Sequence, residues 1–328
     1  MHNEASNHVR GKLERFRHPF FPDNLPSPSP NLPSCQQEPF VMSLIRAASA
    51  LARRAMPSAA LAGASYLALK SLASFTSPDA KPDSDRGMQS LYATHKPTTP
   101  MQKLTIAVGS ALMGFGDPTD GTHIAALGDA TANPFFGKMR SQMLADPVGR
   151  RILKERPEIS FTPDEWDALK HLPEGTFGHT YYSQMRRNGI SWATRPPVRF
   201  VDDEENAYLL LRYRQCHDFY HTLLDMDISV VEELAIKVFE WRQTGLPVGL
   251  IASLFGPLRL PPDEKERFFK HYLPWALQCG SEAKPLIGVY WEEMWHRDID
   301  ELRKDMGIWL LPERNSVTHA ANSTAILD

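Results

Sequence analysis

The strongest constraint on the fold lies between residues 200 and 260. Two runs of helical periodicity stand there, each opened by a start signal and joined by only Asp225-Met226-Asp227-Ile228. The first, AYLLLRYRQCHDFYHTLL, follows Asp202 with Glu205 three residues later, the spacing of a capping box. The second, VVEELAIKVFEWRQ, follows Ser229 with Glu232 three later and is stopped by Gly245 and Pro247. Two helices with so short a connection return antiparallel, so residues near the turn face each other. Around this hairpin, 91–312 reads as a single mainly α domain. Period-two alternation is hard to find there, whereas helix starts recur at Asn133-Pro134, Asp146-Pro147 and Thr162-Pro163. A further apolar helix is expected over 102–115, ended by Gly116-Asp117-Pro118.

The flanks read differently. Residues 1–41 form a proline-rich leader with little periodicity, a composition that cannot bury enough apolar surface to order itself. Residues 42–76 are rich in Ala, Ser and Leu, carry Arg46, Arg53, Arg54 and Lys70, and contain no acid. That is the character of a transit segment, and Met42 is a second place where the protein can start. Residues 77–90 read as a polar linker and 313–328 as a flexible tail. A net charge of −3 provides no basic field for nucleic acid. The three cysteines are too scattered for a disulfide framework or a thiolate metal site, so any metal must take nitrogen and oxygen ligands. No apolar run reaches the roughly 20 residues that span a bilayer.

The first helix of the hairpin carries the candidate chemistry. At about 100° per residue, His217, Asp218 and His221 fall near 0°, 100° and 40° around the helix. All three point into one arc, and two imidazoles one turn apart can share an ion. Glu233 sits in the first turn of the returning helix, where an antiparallel hairpin brings it back beside them. Glu232 competes for that place but belongs to the expected capping box. Two His and two carboxylates suit zinc, and iron or manganese as well. Tyr290, Trp291 and Trp295 read as core.

The run HDFYH, eleven residues and Glu233 resembles the HDxxH-x11-E motif of the ubiquinone biosynthesis protein 4 family. So do LYATHKP, DPVGRRILKERPEIS, LPEGTFG, TRPPVRFVDDEENAYLLLRYRQCHD, VFEWRQTGLPVGLIASLFGPLRL, LPWALQCG and VYWEEMW, in order across about 91–311. The resemblance implies a helical mitochondrial protein, peripheral on the matrix face of the inner membrane. It implies partners in a multi-subunit complex of coenzyme Q biosynthetic enzymes, and metal ligation by His217, Asp218, His221 and Glu233. The implied reaction is removal of the ring carboxylate from a polyprenylated hydroxy-methoxybenzoate, whose tail needs an apolar groove, for which 246–260, with Gly245, Gly249 and Gly256, and 106–115 are the candidates. Asp218 and Glu292 are the candidate proton donors. Two other classes fit less well. One is a His-Glu-x-x-His metallohydrolase, disfavoured because Asp218 is a methylene shorter than the usual base. The other is a lipid-binding scaffold with a structural metal.

Overall fold

The computed structural model describes residues 90–117 and 120–312. The expected leader, the transit segment, all but the last residue of the linker, and the tail lie outside these residues. Among the described residues the regular structure is helical, and Thr176 with Asp298 makes an isolated β-bridge.

The chain enters through α1 (Pro100–Gly116), where Thr99 and Gln102 cap each other reciprocally. It reverses into α2 (Gly121–Thr131), whose first turn is held by the Asp120 carboxylate on the Thr122 amide. Then come α3 (Phe136–Ala145), α4 (Pro147–Glu155), α5 (Pro163–Leu169) and α6 (Phe177–Arg187). Proline at the first position opens α4 and α5, behind Asp146 and Thr162 caps. The long helix α7 (Glu204–Leu224) and its return α8 (Val230–Thr244) form the central hairpin. After them α9 (Pro247–Phe255), α10 (Pro262–Arg267), α11 (Leu273–Glu282) and α12 (Ile299–Met306) close the domain.

The hairpin is antiparallel, as its short connection requires. Glu233 meets His221 and His217, while Glu240, two turns further on, meets His217 and Tyr213. Asp225 makes the turn possible with a left-handed φ of 50°, and the Met226 amide donates back to the His221 carbonyl.

Both start signals differ in detail from the sequence reading. Asp203, not Asp202, caps α7, by accepting from the Asn206 amide at 2.8 Å. Asp202 instead takes the His95 ring and the Lys103 ammonium, tying α1 to the hairpin, and Glu205 pairs with Arg140. Ser229 is the cap residue of α8, yet its hydroxyl donates to the Glu232 carboxylate, which also accepts from the Asp227 amide. Glu232 is therefore occupied, though by a different donor set.

Two apolar clusters share α7. Its first half, with Leu209, Leu210 and Tyr213, packs among Phe136, Met139, Met143 and Ile152. Its second half, with Cys216, Phe219, Tyr220 and Leu223, packs among α6, α8, α11 and Trp291. α7 is buried on most of its sides, and its interior polar groups Arg212, Arg214 and Asp218 are each paired with an opposite charge. Tyr290, Trp291 and Trp295 are buried, Trp291 fully, as expected for core residues.

The stretch 246–260 is where a groove expectation meets tight packing. A Cβ on Gly249 would lie 2.6 Å from the Lys237 carbonyl, and one on Gly256 would lie 2.2 Å from Leu234. These glycines let α9 and the turn after it press on α8 instead of parting around a chain. Gly245 takes φ 81° as the C-cap of α8.

Candidate metal centre

His217 and His221 are one turn apart on α7, and their Nε2 atoms stand 3.3 Å from each other. The Glu233 carboxylate reaches both, with Oε2 3.0 Å from His221 Nε2 and Oε1 3.3 Å from His217 Nε2. One ligand atom from each of the three lies within 4.8 Å of the others.

The other ring nitrogens decide what the facing pair can do. His217 Nδ1 is 2.7 Å from Glu240 Oε1, and His221 Nδ1 is 3.3 Å from the Met226 carbonyl. Lys237 Nζ also stands 3.2 Å from His217 Nδ1, but the Glu240 carboxylate is nearer, so each Nδ1 has an acceptor that favours the proton there and leaves lone pairs on the two Nε2 atoms. Two lone pairs converge there with a carboxylate whose side-chain cation, Lys237 Nζ, stands 3.5 Å from Oε1. A divalent cation fits this donor set, and the carboxylate behind His217 is the arrangement that orients a ligating imidazole.

The charges around the pair are tightly matched. Glu240 is 1% exposed and also accepts from Tyr213 Oη at 2.6 Å and Lys237 Nζ at 2.9 Å. Burial works to raise its pKa, but Lys237 and His217 overcome this and bring it down to about 2. Glu233 shows the same balance, burial outweighed by His217 and Lys237, and its carboxyl lies well below the ordinary value. It still keeps 37% of its side-chain surface, because it faces a cavity and not packed protein. Burial would lower the Lys237 pKa, yet Glu240 and Glu233 raise it.

Asp218 stands apart from this group. Its carboxylate makes an ion pair with the Arg195 guanidinium, and His217, His221 and Glu233 come together without it. Glu292 is placed elsewhere: both its oxygens are taken by Arg212, at 2.9 and 3.1 Å, and Arg212 is fully buried. Of the two carboxyls considered as proton donors, Asp218 borders the cavities at the histidines and Glu292 does not.

Two cavities meet at His217, Asp218 and Ile190. The larger, about 240 Å³, has Arg195 and Lys237 at its polar end and Ile124, Leu210 and Val248 on its apolar wall. The smaller, about 80 Å³, opens onto His221, Glu233, Gln184 and Asn188. Of the stretch 246–260 it is Val248 that faces the larger cavity, while α2 supplies wall that the sequence did not single out. Glu240, Lys237 and Arg195 were also missed. Glu233, Lys237 and Glu240 recur at i, i+4 and i+7, a charged stripe on the face turned toward the histidines, and that signal was available.

An interior helical hairpin that aims two imidazoles and a carboxylate at one point, beside a mainly apolar cavity with a polar end, defines a helical protein with a candidate metal centre. Comparison with known proteins gives the particular family. The family model described as coenzyme Q (ubiquinone) biosynthesis protein Coq4 matches residues 92–312, and the chain belongs to that family. It is 45% identical over 222 residues to the mitochondrial ubiquinone biosynthesis protein COQ4 of Coprinopsis cinerea, covering 68% of this chain and 76% of that one. The protein of the same name from Yarrowia lipolytica is 44% identical over 223 residues, covering 68% of this chain and 85% of its own. A crystal structure of a Nostoc punctiforme protein, 21% identical, shares the fold with a TM-score of 0.51 over 61% of this chain and 96% of that one.

Proposed function

We propose that this protein acts in mitochondrial ubiquinone biosynthesis as a metal-dependent carboxy-lyase, removing the ring carboxylate from a polyprenylated hydroxy-methoxybenzoate to leave the corresponding methoxyphenol. The observation that carries the reading is the pair of Nε2 atoms 3.3 Å apart, each freed by an acceptor on its Nδ1 and both faced by Glu233. His217, His221 and Glu233 would hold the cation, with Asp218, now paired with Arg195, as the fourth ligand that the family motif implies. Zinc suits this set of nitrogen and oxygen donors. A bound divalent ion supplies Lewis acidity and lowers the pKa of coordinated water.

The chain's own residues do the rest. Glu240 and the Met226 carbonyl fix the imidazole orientations. The apolar wall of Ile124, Leu210 and Val248 takes the ring and the start of its tail, keeping water off the reacting carbon. In the reaction a proton is added at the ring carbon bearing the carboxylate. The bond to the carboxylate then breaks, its electron pair restores the aromatic ring, and carbon dioxide leaves.

The relatives' names support a mitochondrial place. We assign the matrix face of the inner membrane, with other coenzyme Q biosynthetic enzymes as partners. The exposed apolar residues Met101, Leu104 and Val108 on one side of α1 support contact with a lipid surface. No described helix is long and apolar enough to cross a membrane.

Metal analysis of the purified protein, paired with mass spectrometry of a prenylated hydroxy-methoxybenzoate incubated with it, tests site and reaction together. Wild type is expected to carry about one equivalent of metal per chain, the occupancy of one closed ligand set, and to produce the decarboxylated phenol. His217→Ala is expected to lose both. Bound metal without carbon dioxide loss in wild type would leave a scaffold with a structural ion.

A further inference from the structure

We infer that Arg195 recognises the carboxylate of the substrate and makes the larger cavity selective for an aromatic acid over its neutral ester. The inference rests on the decarboxylation reading and adds a specificity residue to it. Arg195 belongs to the stretch between α6 and α7 and borders the larger cavity beside His217, Asp218 and Lys237. Its side chain keeps 18% of its surface, so the charge is mostly withdrawn from water. The guanidinium is held from α7: Nη1 donates to the Arg214 carbonyl and Nη2 faces the Asp218 carboxylate. The backbone anchor at Nη1 keeps the planar guanidinium oriented when Asp218 turns to the cation, and Nη2 is then left to donate to an incoming carboxylate.

The charge inventory points the same way. Three carboxylates, Asp218, Glu233 and Glu240, stand with two side-chain cations, Arg195 and Lys237, while Arg214, the third cation on the cavity wall, is neutralised by Asp129. That leaves one negative charge in excess, and a divalent ion converts it to one positive charge in excess. In a site with an apolar wall this surplus is best matched by a monoanion, which is what an aryl carboxylate is. Lys237 is committed to Glu240 at 2.9 Å and Glu233 at 3.5 Å. Arg195 faces Asp218, the same carboxylate that the motif gives to the cation. Once Asp218 serves the cation, the guanidinium is the group left to receive the substrate.

The test is calorimetric titration of the zinc-loaded full-length protein with a geranyl-substituted hydroxy-methoxybenzoate and with its methyl ester. Wild type is expected to prefer the acid by about 10-fold or more, the scale of one charge-assisted pair. Arg195→Gln should weaken acid binding by about 10- to 100-fold and leave ester binding and zinc content unchanged. Equal binding of acid and ester by wild type overturns the proposal, as does an intact acid preference in Arg195→Gln. Should Arg195→Gln not fold by circular dichroism, Arg195→Lys carries the test. It loses the planar guanidinium and should cut the acid-to-ester ratio by about threefold or more, and an undiminished ratio overturns the proposal. Acid preference through Arg195 without release of carbon dioxide would keep this inference and remove the carboxy-lyase reading. Carbon dioxide release by Arg195→Gln with wild-type KM would do the reverse.

Discussion

A carboxylate with 1% of its surface exposed persists in a helical interior only when its charge is matched on several sides, and Glu240 is matched by Lys237, His217 and Tyr213. Its effect on a bound cation would be indirect, through the tautomer and orientation of His217. Glu240→Gln keeps the shape and removes the charge, so metal affinity should fall by about 10- to 100-fold in competition with a chromophoric chelator. Unchanged affinity would reduce Glu240 to a packing residue. The same group gives a pH dependence to the metal-free protein. Its folded pKa is depressed to about 2 from an ordinary 4.5, so its contribution to stability is complete above about pH 4.5 and is lost as pH falls toward about 2. Denaturant melts should therefore show the gap between wild type and Glu240→Gln narrowing across that acid range.

Helical spacing put His217 and His221 in one arc and the short turn brought Glu232 or Glu233 opposite them, and the family motif chose Glu233. Asp218 lies about 60° from His221 at the edge of the same arc, and there the distant Arg195 meets it. Nothing in the text near residue 218 announces a partner brought in by tertiary folding.

At the scale of elements, the glycines of α9 decide how closely it lies on α8. Gly249→Ala would place a methyl 2.6 Å from the Lys237 carbonyl and 2.9 Å from the Trp241 Cβ, so α8 must shift. A loss of about 1–3 kcal/mol is expected from thermal or denaturant melts. Gly137 in α3 is the control: a Cβ there meets nothing within 4 Å. Gly137→Ala should leave stability unchanged or raise it by up to about 1 kcal/mol. If the two variants melted alike, the close approach of α9 to α8 would be wrong. Proline and cap signals made most helix starts readable, since they act within one turn. The packing of α9 was not readable, because a glycine in an apolar run is written the same way whether it spaces a groove or closes one.

For the molecule as a whole, the two apolar clusters meet along α7, so the histidines sit on the element shared by both halves of the core. A ligand bound there should stabilise the entire domain. With free metal at about 100 times its dissociation constant the gain is about 2.7 kcal/mol. That is roughly 5–10 °C in Tm at about 2–4 °C per kcal/mol for a domain of this size. Differential scanning fluorimetry should show that loss on chelation, its recovery on adding zinc, and neither in His221→Ala. The single-domain, mainly α character was legible from periodicity. The wall that α2 contributes to the cavity was not, since α2 reaches the histidines only through the folding of the whole chain.

The turn between α7 and α8 has a consequence for what the chain tolerates. Gln184 holds the Met226 carbonyl, Asn188 holds Asp227, and Glu232 holds Ser229, so the connection is pinned from both sides. The eleven residues between His221 and Glu233 therefore work as a ruler. One residue inserted into α8 ahead of Glu233 would turn that carboxylate about 100° away from the imidazoles, and one deleted would turn it as far the other way. Substitutions around the site change how well it works; a change in the count removes it.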